Sequence, residues 1–282
     1  MSFGRSLSDF PLNAIKRTVL FLGATDTGKT TLARRLYKEV QAGGEQVAYL
    51  DCDIGQSTVG PPTTIGLEYT GRDGKPHRHL FFVGSSTPRG HFLPMVVGAY
   101  KLRNLALQRG CATVLVDTTG LVDPRAGGAA LKLWKIELLR PTWIVAIQRQ
   151  SELSSLLEQM HHHYEGRLTL LAPATEVRAR DRRERTAYRQ RLWRSYFAKT
   201  DSVTMEACQC DVWDFHLATS GRLVGLDDAA GLCLGLGVIT DTSQNTISLA
   251  TPLKSLDRVE RLRLGSIRLD LQSGLELGAS PQ

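Results

Sequence analysis

Residues 23–30, Gly23-Ala24-Thr25-Asp26-Thr27-Gly28-Lys29-Thr30, followed by Thr31, spell G-x-x-x-x-G-K-[ST] at every fixed position. Such a loop acts through its backbone. Its glycines let successive N–H groups turn inward around phosphate oxygens, and the helix that follows adds the positive end of its dipole. Lys29 is placed to reach the β- and γ-phosphates, and the Thr30 hydroxyl to hold Mg²⁺. The implied chemistry is binding of a nucleoside triphosphate. The flanks agree with it. Residues 18–22 read as a short buried parallel strand, and residues 29–41 as a helix that stops at Gly43-Gly44.

Phosphoryl chemistry also needs a metal-holding carboxylate and a group that handles the nucleophile's proton. Two acidic strand ends offer them. The first is Asp51-Cys52-Asp53-Ile54-Gly55-Gln56. Period-two alternation puts Asp51 and Asp53 on one face, so that either can take a proton from an attacking hydroxyl while the Gln56 amide holds Mg²⁺ or its water. The second is Asp117-Thr118-Thr119-Gly120, where Asp117 fits a metal-holding role. Both lie at carboxyl ends of expected parallel strands, where open α/β sheets place ligands. An Asp in that position also serves as an ordinary turn or cap residue.

The net charge is +7, and its distribution is uneven. Residues 178–194 hold eight arginines against Asp181 and Glu184, a local excess of +6. That excludes a general polycationic coat and points to one anion-handling segment. Only nine of the 35 basic residues are lysine. Arginine grips phosphate oxygens two at a time, although a genome-wide composition bias would also favour it. Asp181-Arg182-Arg183-Glu184 has the spacing of a capping box that starts a helix at Asp181. Arg178 then lies in the preceding loop, free to fold back toward Arg183 and form a clamp on a transferring phosphoryl group. Singly, Arg189, Arg191 and Arg194 read as a solvated helix face.

These groups need a scaffold to hold them. Strands are expected at 46–50, 79–83, 112–116, 142–147 and 167–171, and helices at 92–108, 129–139 and 151–162. That alternation indicates an α/β fold with a mostly parallel sheet covered by helices on both faces. After residue 200 short apolar runs at 211–217, 222–226, 232–239 and 246–250 are separated by turns, which reads as a small antiparallel β unit. The expected division is an N-terminal extension at 1–16, a nucleotide-binding domain at 17–200 with an arginine lid at about 173–197, and a β domain at 201–282. Cys52 and Cys111 fall in apolar runs as core residues. Cys208 and Cys210 with His216 fit no common zinc spacing, and His161-His162-His163, which follows a helical segment, reads as a solvated helix end before a metal site. Without an 18-residue apolar run the chain is expected to be cytoplasmic and off the membrane.

The ordered set of motifs resembles the polynucleotide 5′-hydroxyl kinases, the family of the kinase subunit in mRNA cleavage and tRNA splicing and of the ribosomal-RNA-processing kinase. The resemblance runs from about Arg17 to Phe197. It rests on the phosphate loop with its Thr-Asp before the second glycine, on residues 49–56 followed by Gly60-Pro61-Pro62-Thr63, on Gly84-Ser85-Ser86-Thr87-Pro88, on Thr118-Thr119-Gly120, and on Arg178 and Arg183 in an arginine-rich helix ending Tyr196-Phe197. It implies a P-loop kinase that moves the γ-phosphoryl of ATP (or GTP) to the 5′-hydroxyl end of RNA or DNA with Mg²⁺. It makes Asp53 the base, puts Gln56 and Asp117 at the metal and its water, and places Gln56, Thr118, Thr119 and Gly120 against the strand. It puts Arg178 and Arg183 at the transition state. Leu121 stands where the best-known members carry a tryptophan that stacks on a substrate base, so the grip on the terminal nucleotide is expected to be weaker or arranged differently. Two other readings remain: an ATP-bound scaffold in RNA processing, and a switch-type NTPase, for which Asp117-Thr118-Thr119-Gly120 also fits. No N-K-x-D sequence that would read guanine accompanies the latter.

Overall fold

The computed structural model describes residues 17–160, 162–175, 178–206, 210–213, 218–243 and 246–277. The chain forms two compact units, and each draws on separate stretches of sequence.

The first unit comprises Met1–Asp53, Ile65–Arg78 and Pro88–Arg180. In chain order its elements are β1 (Arg17–Gly23), α1 (Lys29–Ala42), β2 (Val47–Asp51), β3 (Thr64–Thr70), the start of β4 (Pro76–Phe82), α2 (Phe92–Gln108), β5 (Thr113–Asp117), α3 (Gly128–Leu139), β6 (Trp143–Ile147), α4 (Ser154–Met160) and β7 (Leu168–Leu171). Its strands run in the order β3-β2-β5-β1-β6-β7. All neighbours are parallel except β3, which pairs antiparallel to β2. Val19, Leu20, Phe21 and Leu22 are successive residues with no exposed surface, so both faces of the sheet are covered. α1 packs on β1, β2 and β5, while α2 and α3 pack on each other and on the same strands. Register places Asp51 opposite Asp117 and Asp117 opposite Phe21, which brings the two acidic strand ends beside the strand that feeds the phosphate loop.

The second unit comprises Ile54–Thr64, His79–Thr87 and Asp181–Gln282. It holds α5 (Arg182–Tyr196), β8 (Asp201–Glu206), β9 (Asp211–Trp213), β10 (Arg222–Asp227), β11 (Cys233–Thr242), β12 (Thr246–Thr251), β13 (Arg261–Leu269) and β14 (Glu276–Leu277). Pairing is antiparallel except for β9 with β13. The end of β4 joins this unit through Leu80, opposite Cys233 of β11. One core cluster gathers Phe82, Trp193, Phe197, Leu223, Leu236 and Leu269; a second gathers Val224, Leu226, Ile239, Ile247, Leu249 and Leu262.

Four strands were not expected from the sequence: β3, β8, β13 and the two-residue β14. β3 follows a Gly-Pro-Pro turn and β8 a lysine-threonine step, both of which read as loop. β13 alternates arginine with leucine and looks like a charged surface stretch. Instead, Arg263 is mostly buried and paired with Asp227 across the ladder. α4 is shorter at both ends than its apolar pattern suggests. Burial raises the thiol pKa of Cys52, of Cys111 (to about 11) and of Cys233 (to about 12), so these are core residues. Cys210 is half-buried, whereas Cys208, His216 and His161 lie outside the described residues. Among the described residues no helix is long and apolar enough to cross a membrane.

Candidate active site

The phosphate loop joins β1 to α1 as the motif requires. Asp26 (φ 54°) and Gly28 (φ 90°) are left-handed, which turns the backbone into α1 at Lys29. The Thr27 hydroxyl donates to Ala24 O at 3.0 Å, and Lys29 Nζ donates to the same carbonyl at 2.6 Å. The loop is therefore closed on itself, with Lys29 lying along its inner side. Lys29 is buried, and burial lowers its pKa; Asp117, Asp53 and Asp26 pull in the opposite direction.

Asp117, at the end of β5, has no exposed surface. Its Oδ2 accepts from Thr30 Oγ1 at 2.6 Å and from the Tyr49 hydroxyl at 2.9 Å. Its Oδ1 is buried with no hydrogen-bond partner among the described residues. Burial raises its pKa; Lys29 and the two hydroxyls lower it, and Asp53 raises it further. Lys29, Asp53, Asp117 and Thr30 thus form one electrostatic group. Tyr49 belongs to it and was not anticipated, because an aromatic in an apolar strand reads as core. β2 ends at Asp51, so strand alternation does not extend to Asp53. Asp51 is buried, and its Oδ1 accepts the Asp53 N–H at 2.9 Å, a short turn that separates the two carboxylates.

The loop after β5 is held from below. Thr118 Oγ1 donates to Phe21 O at 2.7 Å. Lys132 of α3, with no exposed surface, donates to Thr118 Oγ1 at 2.8 Å, to Thr119 Oγ1 at 3.3 Å and, in a very short contact, to Thr119 O. Burial first, then Lys135 and Lys29, put its pKa well below that of an ordinary lysine. Both threonine hydroxyls are committed inside the unit, and the partly exposed residue of the trio is Gly120. A Cβ there would lie 2.3–2.6 Å from atoms of Thr25, so only glycine lets this loop touch the phosphate loop. The signal for Lys132 was available: it and Lys135 fall on the buried face of an apolar helix, in phase with Leu131, Ile136 and Leu139.

Asp26 is gripped from two sides within the first unit. Arg180 donates its backbone N–H to Oδ2 at 2.9 Å and approaches Oδ1 with Nε at 3.4 Å, while Arg149 reaches Asp26 O at 2.9 Å. Arg178, exposed, belongs to the same unit. Arg183, also exposed, lies in the first turn of α5 in the second unit. That helix starts as its sequence implies: Asp181 accepts from Glu184 N at 2.7 Å, and Glu184 accepts from Asp181 N at 2.8 Å. Gln56 also lies in the second unit, where its amide donates to Gly55 O at 2.8 Å and to Arg185 O at 3.3 Å. Arg189 is not part of a solvated face. Its Nε meets both Glu276 oxygens at 3.2 and 3.3 Å, and Trp193 Nε1 donates to the same carboxylate at 3.0 Å. The separation of 87 positions between Arg189 and Glu276 hid that pair from any local reading.

Comparison with known proteins finds relatives over most of the chain. The family described as mRNA cleavage and polyadenylation factor CLP1 P-loop matches residues 23–199. A polyribonucleotide 5′-hydroxyl-kinase of Pyrococcus furiosus is 30% identical over 92% of this chain and 89% of its own length. The corresponding kinase of Methanocaldococcus jannaschii is 28% identical over 92% of this chain and 89% of its own length. A chain in a solved Clp1p–Pcf11p complex superposes with a TM-score of 0.70 at 14% identity, covering 93% of this chain and 76% of that one, a likeness of fold.

Proposed function

Because the chain belongs to the CLP1 P-loop family, we propose that it is a polynucleotide 5′-hydroxyl kinase that transfers the γ-phosphoryl of ATP to the 5′-hydroxyl of RNA. The observation that carries this reading is the single group formed by Lys29, Thr30, Asp53 and Asp117 at the carboxyl ends of three adjacent strands. A nucleotide triphosphate brings the β- and γ-phosphates to the loop N–H groups, and Lys29 Nζ exchanges the Ala24 carbonyl for phosphate oxygens. Mg²⁺ suits the donors present, since Asp117 has one buried oxygen without a partner among the described residues and the other on the Thr30 hydroxyl. When bound, it neutralises charge on the β- and γ-phosphates.

Asp53 takes the proton of the 5′-hydroxyl as that oxygen bonds to the γ-phosphorus. The bond from the γ-phosphorus to the β–γ bridging oxygen breaks, and ADP leaves. The family resemblance assigns the charge on the phosphoryl group in flight to Arg178 and Arg183, while Arg149 and Arg180 hold Asp26 and so fix the curve of the loop. Gly120, held in place by Thr118 and Thr119, forms the wall against which the 5′ end rests, and the family resemblance assigns Gln56 to the metal's water. RNA is the preferred acceptor because the relatives that match over nine-tenths of the chain carry the name polyribonucleotide kinase.

The test is transfer of labelled γ-phosphate to 5′-hydroxyl oligonucleotides, RNA and DNA in parallel, with ATP and GTP competing. Product on RNA is expected. Asp53→Asn should cut transfer at least about 100-fold, as removal of a general base does, with ATP still bound. Tight ATP binding without labelled product, under all conditions, sinks the kinase reading and leaves a scaffold.

A further inference from the structure

We propose that the open cavity between the start of α2 and the turn ahead of α3 is a second subsite for the acceptor strand, holding the phosphodiester and base of a nucleotide downstream of the 5′ end. The inference rests on the kinase reading above. The cavity measures about 490 Å³ and is lined by Arg89, Gly90, Phe92, Asp123, Arg125 and Gly127, among others. That volume lies within the range of small-ligand pockets. All of these residues belong to the first unit, together with the phosphate loop, Asp53 and Thr118–Gly120.

Its chemistry selects an anion with an aromatic ring attached. Arg89 and Arg125 are exposed, and among the described residues neither guanidinium has a hydrogen-bond or ion-pair partner. The carboxylate in the lining is engaged with the backbone: Asp123 Oδ1 accepts from Arg125 N at 2.9 Å and caps the short turn at Pro124–Ala126. The cavity therefore presents two forked cations against one carboxylate, a net positive lining whose guanidinium donors match phosphate oxygens. Beside them lies the half-buried ring of Phe92. Gly127 has φ 75°, and a Cβ there would sit 2.4 Å from a Phe92 ring carbon, so glycine lets the ring lie against the chain. An aromatic surface flanked by arginines is the usual platform for single-stranded nucleic acid, where a base stacks and the backbone is held by charge. Free phosphate would make no use of the ring.

The location fits a strand whose 5′ end reacts at the neighbouring site. Gly120 touches Thr25 of the phosphate loop. Asp123 follows three residues later, at most about 11 Å along an extended chain. A strand with its 5′-hydroxyl beside Asp53 has only to follow residues 120–123 to reach the cavity.

The experiment is steady-state transfer with 5′-hydroxyl oligoribonucleotides of increasing length, from a nucleoside 3′-phosphate to a decamer, for wild type, Arg89→Ala, Arg125→Ala, the double variant and Phe92→Leu. In wild type KM should fall once the strand is long enough to enter the cavity. Each arginine variant should raise KM for the decamer about tenfold, Phe92→Leu about fivefold, and the double variant should lose the length effect. The slope of log KM against log salt should drop by about 1.4 in the double variant, two single-strand phosphate contacts' worth. Both arginines are exposed, so ATP affinity reports an intact loop. A length effect in the double variant equal to that of wild type overturns the proposal. So does an equal rise in KM for ATP, which would assign the cavity to the triphosphate. Absence of transfer by wild type at every length instead overturns the underlying kinase reading.

Discussion

Lys132 holds the loop proposed to meet the substrate. Its ammonium has three hydrogens and three acceptors, and all three acceptors are on Thr118 and Thr119. It has no exposed surface, and burial makes its charge costly. A buried ammonium is retained only if its bonds are worth more than that cost. Here they fix the loop whose next residue, Gly120, abuts the phosphate loop. Lys132→Met keeps the volume and leaves Thr119 O and Oγ1 without their donor. Each buried acceptor left unpaired costs about 1–3 kcal/mol, offset by relief of the buried charge. A fall in thermal midpoint of several degrees is expected, with transfer to RNA reduced about tenfold or more and ATP affinity nearly kept, since Lys29 and Thr30 are untouched. Calorimetry together with the labelled-phosphate assay reads both effects. Equal losses in ATP affinity and RNA transfer would show that Lys132 supports the whole unit and not the loop.

α5 joins a proposed catalytic residue and a core residue in one helix. Its N-terminus carries Arg183 and its C-terminal half carries Trp193, which is buried in the core of the second unit. The capping box decides whether the first turn exists at all when no substrate is present. Asp181→Ala removes one arm and should cost about 1 kcal/mol, freeing the turn that bears Arg183. Transfer should fall several-fold, whereas Asp181→Asn, which still accepts from Glu184 N, should restore most of it. Arg183→Ala itself should cost about a thousandfold or more, the usual worth of an arginine finger. If Asp181→Ala and Asp181→Asn behave alike, the cap does not limit Arg183. This element was legible in the sequence because a capping box is a local code four residues long. The phosphate loop was legible for the same reason. What escaped was non-local: Arg180 with Asp26 across 154 residues, Arg189 with Glu276 across 87, and a strand, β13, whose arginines look solvated until their partner is known. Spacing along a chain reveals chemistry that repeats with the turn of a helix or the pleat of a strand. It says nothing about which distant carboxylate an arginine will meet.

The excess of +6 in residues 178–194 narrows when the whole chain is considered. Arg180 is tied to Asp26 and Arg189 to Glu276, so part of the charge is spent within each unit and does not present a basic surface. The order of the chain and the division into compact units also do not coincide. Residues 54–64 and 79–87, from the middle of the nucleotide-binding sequence, pack with residues beyond 181. Phe82 shares a core with Trp193, Phe197, Leu223, Leu236, Val238 and Leu269. A chain that ends at residue 200 would keep every catalytic candidate, yet it would leave Phe82 and Trp193 without four aliphatic neighbours and Arg189 and Trp193 without Glu276. Stripping one large core side chain of its packing costs about 3–5 kcal/mol, and two such losses approach the whole stability of an ordinary domain. The shortened chain should therefore be aggregated or partly unfolded, with a broad, uncooperative melt and no RNA transfer, despite an intact phosphate-loop sequence. Circular dichroism melts and size-exclusion chromatography of the two chains decide it. A truncated chain that melts as sharply as the full one, and still transfers phosphate, would mean that the strands after residue 200 do not support the core around Phe82.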